Sequence, residues 1–124
     1  LFNVKDTFVN AKLGFLCIDN KQYACVSGKH GLGALPKGMY TINKCYKLKA
    51  IKGKTEPYTG KQFPWVARLT PQFKTSRSKL LIHPDGGVKG TRGCIGIKNK
   101  DVQAYEQISN LLKVKKQLLL YVDK

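Results

Sequence analysis

The first half of the chain consists of short runs rich in β-branched and aromatic residues, broken by turn formers. "FNVKDTFV", "KLGFLCID" and "QYACVSG" each read as strands. "GKHGLGALPKG", with four glycines and a proline, reads as a loop, and "MYTINKCYKL" alternates as a further strand. "KGKTEPYTGKQ" is polar throughout and is expected to be an exposed excursion. "FPWVARL", "KLLIH" and "CIGI" continue the strand pattern. The period then changes. "DVQAYEQISNLLKVKK" sets Val102, Tyr105, Ile108 and Leu112 at helical spacing. Asp101 opens that segment and Lys113, Lys115 and Lys116 close it, which suits the helix dipole. "QLLLYVD" ends the series as a strand. The pattern predicts a mainly β fold with one α-helix, without repeats or an internal linker.

A chain of 124 residues suits one domain around one core, so residues 1–124 are read as a single domain. No apolar run is long enough for a membrane-spanning helix. The N-terminal "LFNVKDTFVN" has neither an initiator methionine nor the pattern of a signal peptide, and we read the chain as a mature or trimmed form.

Charge changes the picture more than length does. Twenty lysines and three arginines face seven carboxylates, for a net charge of +16. That exceeds what solubility requires and points to polyanionic partners: nucleic acid, anionic lipid or the acidic polymers of a bacterial wall. The lysine bias argues against base-specific DNA reading, which favours arginine.

Cysteines stand at 17, 25, 45 and 94, with no C-x-x-C pair to suggest a zinc ribbon or a thioredoxin-type motif. Cys17 and Cys25 flank a hairpin-like "IDNKQYA". A three-residue loop would set them opposite each other, and a two-residue loop would put them on opposite faces. Buried free thiols are the favoured reading for Cys17, Cys25 and Cys45.

The candidate chemistry lies in "LLIHPDGGVKGTRGCIGI". An apolar run ends at His83, four of the next ten residues are glycine, and Cys94 opens another apolar run. A thiol titrates near ~8.5 and needs a proton acceptor or a positive neighbour to become a nucleophile. His83 at a strand end is the obvious acceptor, and the glycines let the chain return to it. Gly93 permits a tight turn whose N–H groups could hold an oxyanion. Lys89 and Arg92 add positive charge. The competing interpretation is a turn histidine and a core cysteine. Asp85 or a backbone carbonyl could orient His83. His30 reads as an exposed loop residue and brings no ligand cluster, so no metal site is expected. Tyr58, Trp65 and Phe73 either line a groove or pack in the core.

"IHPDGGVKGTRGCIGI" resembles the active-site segment of the L,D-transpeptidase catalytic-domain family of the YkuD type, where a Ser/Thr-x-Gly-Cys-Ile/Val turn follows the histidine strand. The corresponding turn here is Thr91-Arg92-Gly93-Cys94-Ile95. "VSGKHGLGALPKGMYTI", "CIGIKNKDVQAYEQI" and "QLLLYVD" are similar to the family's flanking segments, so the likeness runs from about Phe15 to Val122. It implies an L,D-transpeptidase-like β-sandwich or barrel-like domain and a thioester mechanism on peptidoglycan stem peptides, with no cofactor. Cys94 would be the nucleophile, His83 the general base and acid, and the Gly93 and Cys94 N–H groups the oxyanion hole. The acyl group would pass to an amine, forming a cross-link, or to water, trimming or cutting the peptide.

Two departures from the longer members stand out. Arg92 replaces their turn histidine, which leaves the acceptor side in doubt, and the His–Cys loop is short. Both features resemble a short branch found among antibacterial effectors and phage-associated proteins. In that branch an Arg-Ser pair precedes the histidine, as Arg77-Ser78 does here. Arg77 is thus a candidate ligand for a substrate carboxylate, with Arg92 and Thr91 as further substrate-binding candidates. The resemblance implies a monomer in the periplasm, secreted or at the cell wall, with stem peptides and anionic wall polymers as partners and no nucleic acid. The alternative is a non-enzymatic basic β-domain that binds nucleic acid through stacking aromatics.

Overall fold

The computed structural model describes residues 2–5, 11–28, 35–50, 58, 62–77, 79–85 and 94–123, the side chains of 2–5, 11–13 and 123 excepted. Among the described residues eight strands and one helix follow one another: β1 (Phe2–Lys5), β2 (Ala11–Ile18), β3 (Lys21–Gly28), β4 (Gly38–Lys47), β5 (Trp65–Pro71), β6 (Leu81–Pro84), β7 (Ile95–Ile97), α1 (Asp101–Lys115) and β8 (Leu118–Asp123). The strands close into a barrel in the order β1-β2-β3-β7-β6-β5-β4-β8. Closure comes from β1, which pairs antiparallel with β2 and parallel with β8. The expected mainly β fold is therefore present, as a barrel.

Alternation fills the interior. Leu16 and Ile18 of β2, Tyr23 and Cys25 of β3, Ile82 of β6, Ile95 and Ile97 of β7, and Leu118, Leu120 and Val122 of β8 join one core with Trp65, Ala67 and Leu69 of β5. β4 contributes Tyr40 and Ile42, then shifts register between Ile42 and Lys44. Asn43 is the extra residue of this bulge, and it turns Cys45 rather than Lys44 toward the core.

The β2–β3 connection is a two-residue turn of Asp19 and Asn20, with Asp19 at φ 52°, the positive value such hairpins require. Cys17 pairs with Gln22 and Cys25 with Gly14, so the two cysteines lie on opposite faces of the sheet. No disulfide can join them, and all four cysteines are free.

Helix α1 runs from the β7 end of the barrel to β8 and covers that mouth. Tyr23 Oη–H donates to Gln107 Oε1 at 2.6 Å, and Gln107 Nε2 donates to the Ile18 carbonyl at 3.2 Å. Three of the four positions expected on one face, Tyr105, Ile108 and Leu112, do face the core. Asp101, Ala104 and Ile108 are buried, Tyr105, Leu111 and Leu112 pack against the core, and Val102 is only half-buried. At the N-terminus Lys100 adopts a left-handed φ of 55°, and Asp101, the first helical residue, is buried. Among the described residues no helix is long and apolar enough to cross a membrane.

Candidate active site

β6 and β7 run parallel, with Ile82 beside Ile95, His83 beside Gly96 and Pro84 beside Ile97. Ile82 and Ile95 point into the barrel and are fully buried. Their neighbours His83 and Cys94 therefore belong to the outer face. Cys94 lies two residues before Gly96, so it is offset from His83 by one strand spacing and two residues, roughly 8 Å between Cα atoms. An imidazole and a thiol on the same face can meet across that span. Parallel pairing explains the long glycine-rich segment between them, because a parallel partner cannot be reached by a tight hairpin.

His83 is 4% exposed. Its ring packs edge-on against Tyr58, with centroids 4.9 Å apart. Nδ1 lies 2.6 Å from the Pro84 carbonyl oxygen. With Nδ1–H donating there, the neutral ring carries its lone pair on Nε2. The backbone carbonyl thus orients the ring, as one of the two sequence alternatives proposed. Asp85 is buried, its N–H donates to the Ile97 carbonyl, and its charge acts on the imidazole from a distance. Burial pushes the His83 pKa below the usual imidazole value, partly opposed by the Pro84 hydrogen bond and by Asp85. The ring is therefore neutral at pH 7 and able to accept a proton.

Cys94 is half-buried, and its Sγ lies 3.7 Å from the Lys79 carbonyl oxygen. Lys79 holds a left-handed φ of 54° just before β6. Burial raises the Cys94 pKa, while a backbone hydrogen bond from Leu81 and the Arg77 guanidinium work the other way. The resting pair is a neutral thiol beside a neutral imidazole. For a thiol in that state to act as a nucleophile, attack would have to be coupled to proton transfer. Arg77 is half-buried and bears on Tyr40 as well, whose phenol is pushed up to about 12 by burial. Cys45, by contrast, is a packing residue. Burial lifts its thiol to about 11, and Ser109 Oγ–H donates to it at 3.6 Å.

The Tlde1 domain matches this sequence over residues 16–122. The chain belongs to the Tlde1 domain family. The matched part of this Tlde1 domain runs from the end of β2 into β8 and holds His83, Cys94 and Arg77. No curated protein and no solved structure matches the chain.

Of the residues singled out from sequence, the fold brings His83, Cys94, Arg77 and Tyr58 together. Gly93, Arg92, Thr91, Lys89 and His30 lie outside the described residues, as does Ser78. Trp65 is fully buried in the core, and Phe73 packs edge-on against Tyr40 with centroids 5.3 Å apart. Sequence reasoning missed what surrounds the pair: the backbone of Lys79 and Leu81 at the thiol, and Arg68 on the same outer face. Arg68 had a signal. It is one of only three arginines, at a solvent-facing position of an otherwise apolar strand, "WVARL".

Proposed function

We propose that this Tlde1 domain is a cysteine-dependent enzyme of L,D-transpeptidase type, acting on peptidoglycan stem peptides at the diamino-acid residue. The observation that carries the reading is the placement of His83 and Cys94 on one outer face of two parallel strands, with Nδ1 of His83 engaged by Pro84. In the reaction, Cys94 Sγ attacks the peptide carbonyl while His83 Nε2 takes the thiol proton. The Gly93 and Cys94 N–H groups hold the oxyanion. The C–N bond then breaks, and His83 returns the proton to the leaving nitrogen. Water, which trims or cuts the stem, or an amine, which makes a cross-link, then attacks the thioester; His83 takes the acceptor's proton, the C–S bond breaks, and the proton returns to Cys94 Sγ. Arg77, expected from the sequence to meet a substrate carboxylate, also favours negative charge on the thiol. Thr91 and Arg92 complete the proposed substrate contacts.

The net charge of +16 supports attraction to anionic wall polymers, and with them a place in the periplasm, outside the cell or at the wall. A bacteriolytic role, by stem cleavage, fits a small and strongly basic chain. The test incubates purified peptidoglycan with the wild type and with Cys94→Ala, then separates the muropeptides. Shortened stems, or dimers joined between diamino acids, are expected with the wild type only. An unchanged profile, together with oligonucleotide binding that Cys94→Ala leaves intact and salt weakens, would replace this reading with the nucleic-acid one.

A further inference from the structure

Pairing across β4, β5 and β6 aligns Lys44 with Arg68 and Arg68 with Leu81. One residue back along both strands from the Ile82–Ile95 pair, Leu81 comes level with Cys94. Lys44, Arg68, Leu81 and Cys94 thus form one row across four strands of the outer face. Most of that row lines a groove of about 750 Å³ whose walls include Lys44, Tyr46, Tyr58, Arg68, Lys79 and Leu81. The groove abuts both members of the pair, since Tyr58 packs on His83 and the Lys79 carbonyl contacts Cys94.

Its charge is one-sided. Three cationic side chains line it, and no carboxylate does among the described residues. Arg68 is also oriented. Its Nε–H donates to Tyr46 Oη at 3.3 Å, which leaves the paired terminal nitrogens for another acceptor. A guanidinium held by one edge presents the fork that grips a carboxylate with two parallel hydrogen bonds.

We propose that Arg68, with Lys44 beside it, is a carboxylate-binding subsite, so that the site selects peptides carrying a free carboxylate about two strand spacings, ~10 Å, from the carbonyl that Cys94 attacks. The proposal rests on the Cys94 reading above and adds a selection rule to it. An extended peptide covers ~3.3 Å per residue, so the carboxylate lies within about three residues of the acyl carbon. Stem peptides whose carboxylates are amidated are then poor substrates.

The experiment compares a stem peptide bearing free carboxylates with its amidated twin, for the wild type, Arg68→Gln and the charge-matched control Lys115→Gln at the end of α1. Wild type and Lys115→Gln are expected to favour the free acid by about tenfold, mainly in KM, and Arg68→Gln to bring that ratio close to one. Binding of both peptides to Cys94→Ala, with and without Arg68→Gln, is measured by calorimetry in parallel. Loss of free-acid preference in binding upholds the subsite even where no variant turns over peptide, an outcome that would sink the catalytic reading alone. Cys94-dependent turnover with the same preference in Arg68→Gln as in the wild type would overturn the subsite and leave the catalytic reading standing. An equal drop with Lys115→Gln would reduce the effect to general charge attraction and overturn it too.

Discussion

At the scale of single residues, the most consequential fact is that His83 is buried and yet must take up a proton in the proposed reaction. Burial holds its pKa below 6.5 in the folded state, whereas the unfolded chain titrates near ~6.5. Between those two values the unfolded state binds more protons, so folding stability is complete above pH 6.5 and falls as the pH drops through that window. Melting temperature should therefore decline on acidification from pH 7.5 to 5, and decline less in His83→Gln. Equal declines would mean that the imidazole is not held neutral by its surroundings. The same shift places the acid limb of kcat/KM below pH 6.5. Cys94 completes the pair from the other side: its raised pKa keeps on sulfur the proton that His83 takes in the proposed reaction. Sequence displayed these two residues plainly, because histidine and cysteine are rare here and their chemistry is distinctive. It offered Tyr58 only as a groove-or-core alternative, and it did not display the carbonyl of Lys79 or the place of Arg68, which follow from pairings between distant strands.

At the scale of elements, the strands and the helix were legible because a period of two and a period of 3.6 leave different marks on a sequence. The β8 segment "LLLYVD" alternates inward at Leu118, Leu120 and Val122. Three features left no such mark. The bulge at Asn43 breaks the alternation of β4, and the parallel pairing of β6 with β7 follows from contacts rather than composition. The third is the left-handed backbone of Lys100 at the start of α1, which no residue type announced. Gly38, by contrast, has a clear local cause. It opens β4 at φ 143°, and a Cβ there would lie 2.6 Å from Cε1 of Phe73, the ring that packs against Tyr40. Gly38→Ala combines a strained backbone with an overpacked contact and should cost about 1–3 kcal/mol in urea unfolding. A cost near zero would show that Phe73 moves aside freely.

At the scale of the whole molecule, the barrel fixes the geometry and the charge sets the company it keeps. Closure through β1 and β8 and the capping helix α1 leave the outer face of β4 to β6, with its groove, for the proposed chemistry. There, one row runs from the proposed nucleophile, Cys94, to Arg68 and Lys44, on a chain whose net charge of +16 favours acidic surroundings. Composition made the attraction to polyanions legible but not its direction, since nucleic acid and wall polymers are alike to a diffuse positive field. In the proposed reading, the placement of His83 and Cys94 is what favours a wall substrate over nucleic acid.

The central claim is that Cys94 forms an acyl-enzyme. It is tested most directly by intact-mass analysis of the folded protein after incubation with a carbapenem, an acyl donor that traps L,D-transpeptidase-type cysteines as stable thioesters. One adduct per chain is expected, mapped to Cys94 by peptide digestion, absent from Cys94→Ala and strongly slowed in His83→Gln. An unmodified folded protein, or an adduct on Cys17, Cys25 or Cys45 instead, would contradict it.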